Sequence, residues 1–237
     1  MFNSTNLNHL KFNPVMQSPL HHFGLVAKQV LANDSKGVWA NEVPLLGYIS
    51  LRGNPENAAF LNAAKQAIGE ALPTQPCTLA YTSWGSILWL APDEWLLICW
   101  RTQRSELQQL LESALTGIHS QVTDNSGGFT TVLLQGKNAS DVLHHCTVYD
   151  LNALEAGKVV GSTFGKASLY MHKQDDGYSL ICRRSFADYI WRYLERSALP
   201  YGFGIALLGS QKSIPVAKPS ASPLANPSVN IGKAVPA

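Results

Sequence analysis

Two stretches of this chain, YISLRGNPENAAFL at Tyr48–Leu61 and TVLLQGKNASDVL at Thr131–Leu143, share one design: a short apolar strand, a glycine at its end, an Asn-bearing helix start, then a helix. In each copy a leucine stands two residues before the glycine, Leu51 with Gly53 and Leu134 with Gly136. A strand and a helix joined in this way each carry one apolar face that must be covered by another layer. Two copies predict an α+β fold of duplicated strand–helix units, with mixed or antiparallel sheets covered by helices.

The rest of the composition narrows the class of function. At 237 residues the chain holds one large or two small domains, since domains run ~100–200 residues. Hydrophobic residues make up 46% and charged ones only 14%, so a core is affordable to the fold while the surface is unusually uncharged. With six Trp, eight Tyr and eight Phe, that balance suits a protein that hides surface against partners. A net charge of +2 with no Lys/Arg cluster argues against nucleic acid. Cys77, Cys99, Cys146 and Cys182 lack the spacing that sets two thiolates on one zinc, and read as buried, reduced thiols. The first residues lack the apolar core of a secretory signal, and no run of eighteen apolar residues could span a bilayer, so a cytoplasmic location without membrane contact is expected.

In chain order, residues 1–45 are Asn-rich and broken by Pro14, Pro19 and Pro44, which predicts an extended arm with at most a short helix near Phe23–Leu31. After the first strand, Asn54 and Pro55 predict a capped helix start, with Ala58, Leu61, Ala64 and Ile68 on its apolar face. Ser86–Leu90 and Glu94–Trp100 are nearly all apolar and flank the turn Pro92–Asp93, which predicts two central strands. Leu107, Leu110, Leu111, Ala114 and Leu115 then mark an amphipathic helix over Thr102–Leu115 that stops at Gly117.

The strands Ile118–Asp124 and Phe129–Gln135 are joined by the Gly-rich DNSGG and predict a hairpin; Asn138 and Asp141 predict a reciprocal cap on the second helix. Lys166–His172 and Tyr178–Arg183 read as a hairpin closed by Asp175–Gly177, and Ser185 as the cap of a last helix with Phe186, Tyr189, Ile190, Tyr193 and Leu194 on one face. From Pro200 onward acidic residues are absent and Pro, Ala and Ser dominate, the composition of a flexible or partner-binding tail. The domain plan is therefore an arm over 1–45, a domain over 46–202 and a tail over 203–237.

The chemical inventory is thin. There is no GxSxG elbow, because GSTFG at Gly161–Gly165 puts threonine at its centre, and no P-loop, strand-borne GxGxxG or HExxH. The pair His21–His22, the run His144–His145–Cys146 and the pair Asp93–Glu94 each place chemistry-bearing residues side by side. Adjacent side chains diverge on a helix or strand, so none of the three reads as a metal or acid–base site.

The segments LRGNPENAAFL, ILWLAPDEWLLI, VTDNSGGFTTVLLQG and RRSFADYIWRYL nevertheless resemble the gamma subunit of heterotetrameric sarcosine oxidase, a relative of the folate-binding domain of aminomethyltransferases. The resemblance covers Tyr48 to Gly202 in the family's order. It implies a fold similar to that folate-binding domain and a place beside alpha, beta and delta subunits in a hetero-oligomer. It also implies FAD, FMN, NAD and tetrahydrofolate in the partner subunits, with no catalytic residue in this chain.

Three functions are compatible with these readings. The first is a non-catalytic gamma subunit of a complex that demethylates sarcosine to glycine and passes the one-carbon unit to tetrahydrofolate, or the gamma-like subunit of a related N-methyl amino acid dehydrogenase. Arg183 and Arg184 are its candidate partner-interface residues. The second is a folate-binding methylene-transfer enzyme acting alone, with Asp124 as the residue to suspect. The third is an assembly or repair factor with a reactive cysteine.

Overall fold

A computed structural model of the protein describes residues 15–208. The first elements among the described residues are a turn of 3-10 helix at His21–Phe23 and the one-turn helix α1 (Leu25–Lys28), followed by β1 (Val38–Val43). Two runs with the same element order follow. The first is β2 (Gly47–Gly53), α2 (Ala58–Ile68), β3 (Leu79–Tyr81), β4 (Gly85–Ala91), β5 (Glu94–Cys99), α3 (Arg104–Ala114) and β6 (Ser120–Asp124). The second is β7 (Phe129–Gln135), α4 (Ala139–Cys146), β8 (Val159–Phe164), β9 (Ala167–Gln174), β10 (Gly177–Arg183), α5 (Ala187–Ala198) and β11 (Phe203–Ile205). The two stretches that share a design in the sequence are the opening strand–helix unit of each run.

Each run builds one sheet. The first gives five strands in the order β3-β4-β5-β2-β6, and the second gives five that take in β1 as a sixth, in the order β8-β9-β10-β7-β1-β11. Beside β7, β1 takes the place that β6 takes beside β2, both antiparallel. The last strand, β11, is thereby displaced to the edge and runs parallel to β1, with Val38 opposite Phe203 and Ala40 opposite Ile205. The fold class expected from the sequence holds: mixed and antiparallel sheets under helices.

Three apolar layers hold the four structural ones together. Between the sheets lie Val43, Leu46, Tyr48, Leu88, Leu96, Ile98, Phe129, Val159 and Ile181. Under α2 and α3, Phe60, Ala64 and Ile68 meet Leu107 and Leu111 over Ile49, Leu51 and Trp95. Under α4 and α5, Val142, Leu143, Ile190, Trp191 and Leu194 cover Val132, Leu134, Met171 and Leu180. Because β2, β5, β7 and β10 are covered on both faces over most of their length, their sequences run apolar with little alternation.

The paired glycines serve different ends. Gly53 leaves room for the Phe60 ring, which would overlap any Cβ placed there. Gly136 has φ +107°, and a Cβ on it would lie 2.6 Å from the Gly37 carbonyl oxygen. An L-residue at Gly136 therefore meets both a strained backbone and a clash with main chain. Gly136→Ala should lower the unfolding free energy by roughly 1–3 kcal/mol from the backbone conformation alone. Gly117→Ala, at φ +80° but with open space around it, should cost less. Equal denaturant midpoints for the two variants would show that the close approach to Gly37 is unimportant.

Several expectations need correction. Residues 38–43, assigned to the extended arm, form β1, a fully buried strand inside the six-stranded sheet. Residues 203–205 of the expected tail form β11; the tail from 209 and the arm through 14 lie outside the described residues. β6 and β7 are not a hairpin, since β6 is the exposed edge of one sheet and β7 a central strand of the other. DNSGG is the crossing between sheets.

Helix α2 is capped by Asn57, whose side chain accepts from the N–H groups of Ala59 and Phe60, while Asn54 makes a local turn with Glu56 N–H. Its buried face is Phe60, Ala64 and Ile68, with Ala58 exposed. Asn138 donates to the Asp141 carboxylate at 2.8 Å but gives no side-chain bond to the helix backbone. Ser185 sits in a 3-10 turn ahead of α5, and the apolar face of α5 includes Trp191, while Phe186 and Tyr189 are exposed. The strand β8, whose residues Gly161 to Thr163 are polar and small, is an element the sequence pattern does not announce.

Candidate functional site

Asp124 ends β6, where the chain leaves one sheet for the other. Its Oδ2 pairs with Nη1 of Arg104 at 2.9 Å, and its Oδ1 accepts from the Ser126 amide at 3.0 Å and the Ser126 hydroxyl at 2.5 Å. The Ser126 hydroxyl in turn accepts from Tyr48 N–H, and Asn125 N–H donates to the Tyr48 carbonyl. Burial would raise this carboxyl, but the two Ser126 bonds, then Arg104 and Arg101, outweigh it and hold Asp124 below the usual carboxylate range. Both of its oxygens are thus committed to fixing the crossing between the sheets.

Arg183 and Arg184 do not form one patch. The Arg183 guanidinium lies 4.6 Å from the centre of the Phe129 ring, a cation–π contact. Arg184 turns the other way and donates through Nη2 to the Gln17 carbonyl at 2.6 Å, tying the N-terminal segment to the start of α5. Beside Arg183, the inner face of the six-stranded sheet opens into a trough of 440 Å³.

The remaining sequence candidates are dispersed. His22 pairs with Asp188 at 2.8 Å, and Arg192 takes the other Asp188 oxygen at 2.9 Å. Those two bonds, Arg192 first, hold the Asp188 carboxyl below its ordinary range. His144 contacts the Ser140 carbonyl and His145 the Tyr201 hydroxyl, on diverging directions of α4. Asp93 accepts from Arg52 at 2.8 Å in the turn before β5. Among the described residues no group of three or more His, Cys, Asp or Glu is placed to hold a metal ion.

Three of the four thiols are placed for packing: Cys99, Cys146 and Cys182 are buried, whereas Cys77, expected to be buried with them, is exposed. Burial pushes Cys99 up to about 12 against the opposing pull of Arg104, and pushes Cys182 up to about 12 with help from Glu42. Such thiols stay protonated and are poor nucleophiles.

One buried group escaped sequence reasoning. His172, on β9, is 3% exposed, and its Nδ1 accepts from the Gln174 side-chain amide at 3.2 Å with the Tyr81 hydroxyl at 3.4 Å. Tyr81 reaches it from β3, the edge of the other sheet, so the pair joins the two halves one strand in from the β8 edge. Burial holds its pKa down to about 4, with a bond to the Lys173 backbone acting the other way.

The fold defines a class before it defines a protein: a duplicated, four-layer α+β sandwich of the aminomethyltransferase kind. The glycine cleavage system aminomethyltransferase T from Bartonella henselae superimposes with a TM-score of 0.54 at 15% identity, over 74% of this chain and 56% of that one. A chain of the heterotetrameric sarcosine oxidase from Corynebacterium sp. U-96 superimposes with a TM-score of 0.71 at 22% identity, over 82% of this chain and 99% of that one. In sequence, the sarcosine oxidase subunit gamma of Corynebacterium sp. (strain U-96) is 26% identical over 182 residues, covering 75% of this chain and 87% of that protein. Residues 52–199 match the sarcosine oxidase, gamma subunit family, and the chain belongs to that family. No helix among the described residues is long and apolar enough to cross a membrane.

Proposed function

We propose that this chain is the non-catalytic gamma subunit of a cytoplasmic sarcosine-oxidase-type complex. The complex oxidatively demethylates sarcosine to glycine, reduces oxygen to hydrogen peroxide and passes the one-carbon unit to tetrahydrofolate. In this reading FAD, FMN, NAD and tetrahydrofolate are bound by the alpha, beta and delta subunits, and this chain supports them through its surface. The match of residues 52–199 to the gamma subunit family carries the proposal. It is supported by the assembly named for the superimposed Corynebacterium structure, a heterotetramer.

Co-expression with the alpha, beta and delta subunits should give a stoichiometric complex with a flavin absorption spectrum and turnover on sarcosine. If this chain stays monomeric beside subunits that assemble without it, the proposal fails.

The likeness to an aminomethyltransferase gives a second reading, methylene transfer on folate by the chain itself, with Asp124 as its acidic residue. The engagement of both Asp124 oxygens by Arg104 and Ser126 speaks for a structural role instead. Titration of the isolated chain with tetrahydrofolate should show no saturable binding in the millimolar range. Saturable binding that Asp124→Asn abolishes would establish the second reading.

A further inference from the structure

Four strands of the six-stranded sheet, β7, β10, β9 and β8, carry their inner face past the cover of the other sheet. The register sets Ile181 opposite Thr131 on one side and Tyr170 on the other, with Tyr170 opposite Gly161. One row further along, Arg183 stands opposite Phe129, and Thr163 opposite Ser168. Phe129 and Ile181 belong to the apolar layer between the sheets, with Tyr170 packed on it, whereas Gly161, Thr163, Ser168 and Arg183 are exposed. The result is the 440 Å³ trough, with an apolar and aromatic floor and a rim of small hydroxyl residues.

Its charge is unbalanced. Arg183 is the one charged residue lining the trough, and among the described residues no carboxylate lies within ion-pair distance of it. The guanidinium lies over the Phe129 ring with its carbon 4.6 Å from the ring centre, and a guanidinium's planar fork of N–H donors can receive a carboxylate with two parallel bonds. Glu94, from the other sheet, acts on Tyr170 from a distance, as Arg183 does with the opposite sign, yet forms no ion pair with Arg183. All of these residues lie within the part of the chain that matches the gamma subunit family.

We infer that this trough is the docking site for a partner-subunit loop that carries an acidic side chain to Arg183 and lays an apolar or aromatic neighbour over Tyr170 and Gly161. The inference rests on the gamma-subunit reading and names the surface that reading requires. Aromatic anchors set in a pocket beside a desolvated charge pair are the usual centre of a tight interface. A cation already held over an aromatic ring reaches that state with little ordering left to do.

The test measures the affinity of the full-length chain for the assembled remaining subunits. Arg183→Glu should weaken it by about a hundredfold and Arg183→Ala by about tenfold, the range for charge pairs at interfaces. Raising the salt concentration should weaken the wild type more than Arg183→Ala. Gly161→Trp, which fills the trough from an exposed position without reversing any charge, should also abolish assembly, while thermal melts of the free variants stay close to the wild type. Arg52→Glu, on an arginine already paired with Asp93, is the surface control and should assemble normally.

Wild-type affinity in both Arg183→Glu and Gly161→Trp, in a complex that forms, overturns the docking site and leaves the gamma-subunit reading standing. Loss with Gly161→Trp alone overturns the acidic partner. Failure of the wild type to assemble removes the underlying reading and the docking site with it.

Discussion

On acidification the folded protein should lose roughly 3 kcal/mol of stability between about pH 6.5 and pH 4 through a single side chain, His172. In the unfolded chain this histidine takes up a proton near 6.5, whereas in the fold burial delays uptake until about 4. Between those values the unfolded state binds more protons than the folded one, so stability rises with pH and falls as the solution becomes acidic. Protonation would place a charge between the sheets, beside Tyr81 and Gln174, where no carboxylate among the described residues bonds to it. Asp124 and Asp188, whose carboxyls are held below their ordinary range, stabilise above the usual carboxylate pKa and lose that contribution at lower pH, outside this window. Denaturant unfolding of wild type and His172→Asn across the range is the measurement. The variant should be less stable at neutral pH and much flatter in its pH dependence; an unchanged slope would place the acid sensitivity elsewhere.

Trp95→Ala should be among the most damaging single substitutions, lowering stability by about 4 kcal/mol. Trp95 on β5 is fully buried, its ring centre 5.7 Å from that of Phe60 on α2, and its Nε1 donates to the Pro73 carbonyl at 2.7 Å. Truncation would open a cavity beneath α2 and leave the Pro73 carbonyl without its donor. The same substitution at Trp191 should cost a comparable amount under α5, where the ring is 1% exposed and meets Phe203 and Phe23. Equilibrium unfolding decides both, with Val148→Ala, at a site 87% exposed, as the silent control. A loss below about 1 kcal/mol at Trp95 would mean that α2 repacks onto the sheet without it.

The duplicated design could be read from Leu51, Gly53, Leu134 and Gly136 because apolar strand, glycine and helix start are local signals. What escaped was set by distant partners. Asn41 and Glu42 disguise β1 as a polar arm, yet Asn41 donates to the Ala206 carbonyl and Glu42 accepts from Thr130, contacts 165 and 88 residues away. At α2 both Asn54 and Asn57 have capping chemistry, and the register was decided by Phe60, which must face Gly53 and Trp95. DNSGG has the residues of a hairpin turn, but the exposure of β6 and the burial of β7 send its two flanks to different sheets. Of the site residues, Asp124 and Arg183 were visible as charges in suggestive places. Their partners Arg104 and Phe129, and the trough itself, depend on cross-strand register that no local pattern encodes.

The insertion of β1 beside β7 also sets the order in which the chain completes itself during synthesis. Residues 47–124 contain every strand of the five-stranded sheet and both of its helices, so that half has all its partners as soon as it is made. The other sheet spans nearly the whole described chain: β1 is made first, its neighbour β7 follows some ninety residues later, and β11 comes last of all. An early strand thus has to wait, unpaired, through the building of an entire half. The polar Asn41 and Glu42 that hid it from sequence reading also help keep it from pairing with the wrong edge in the meantime.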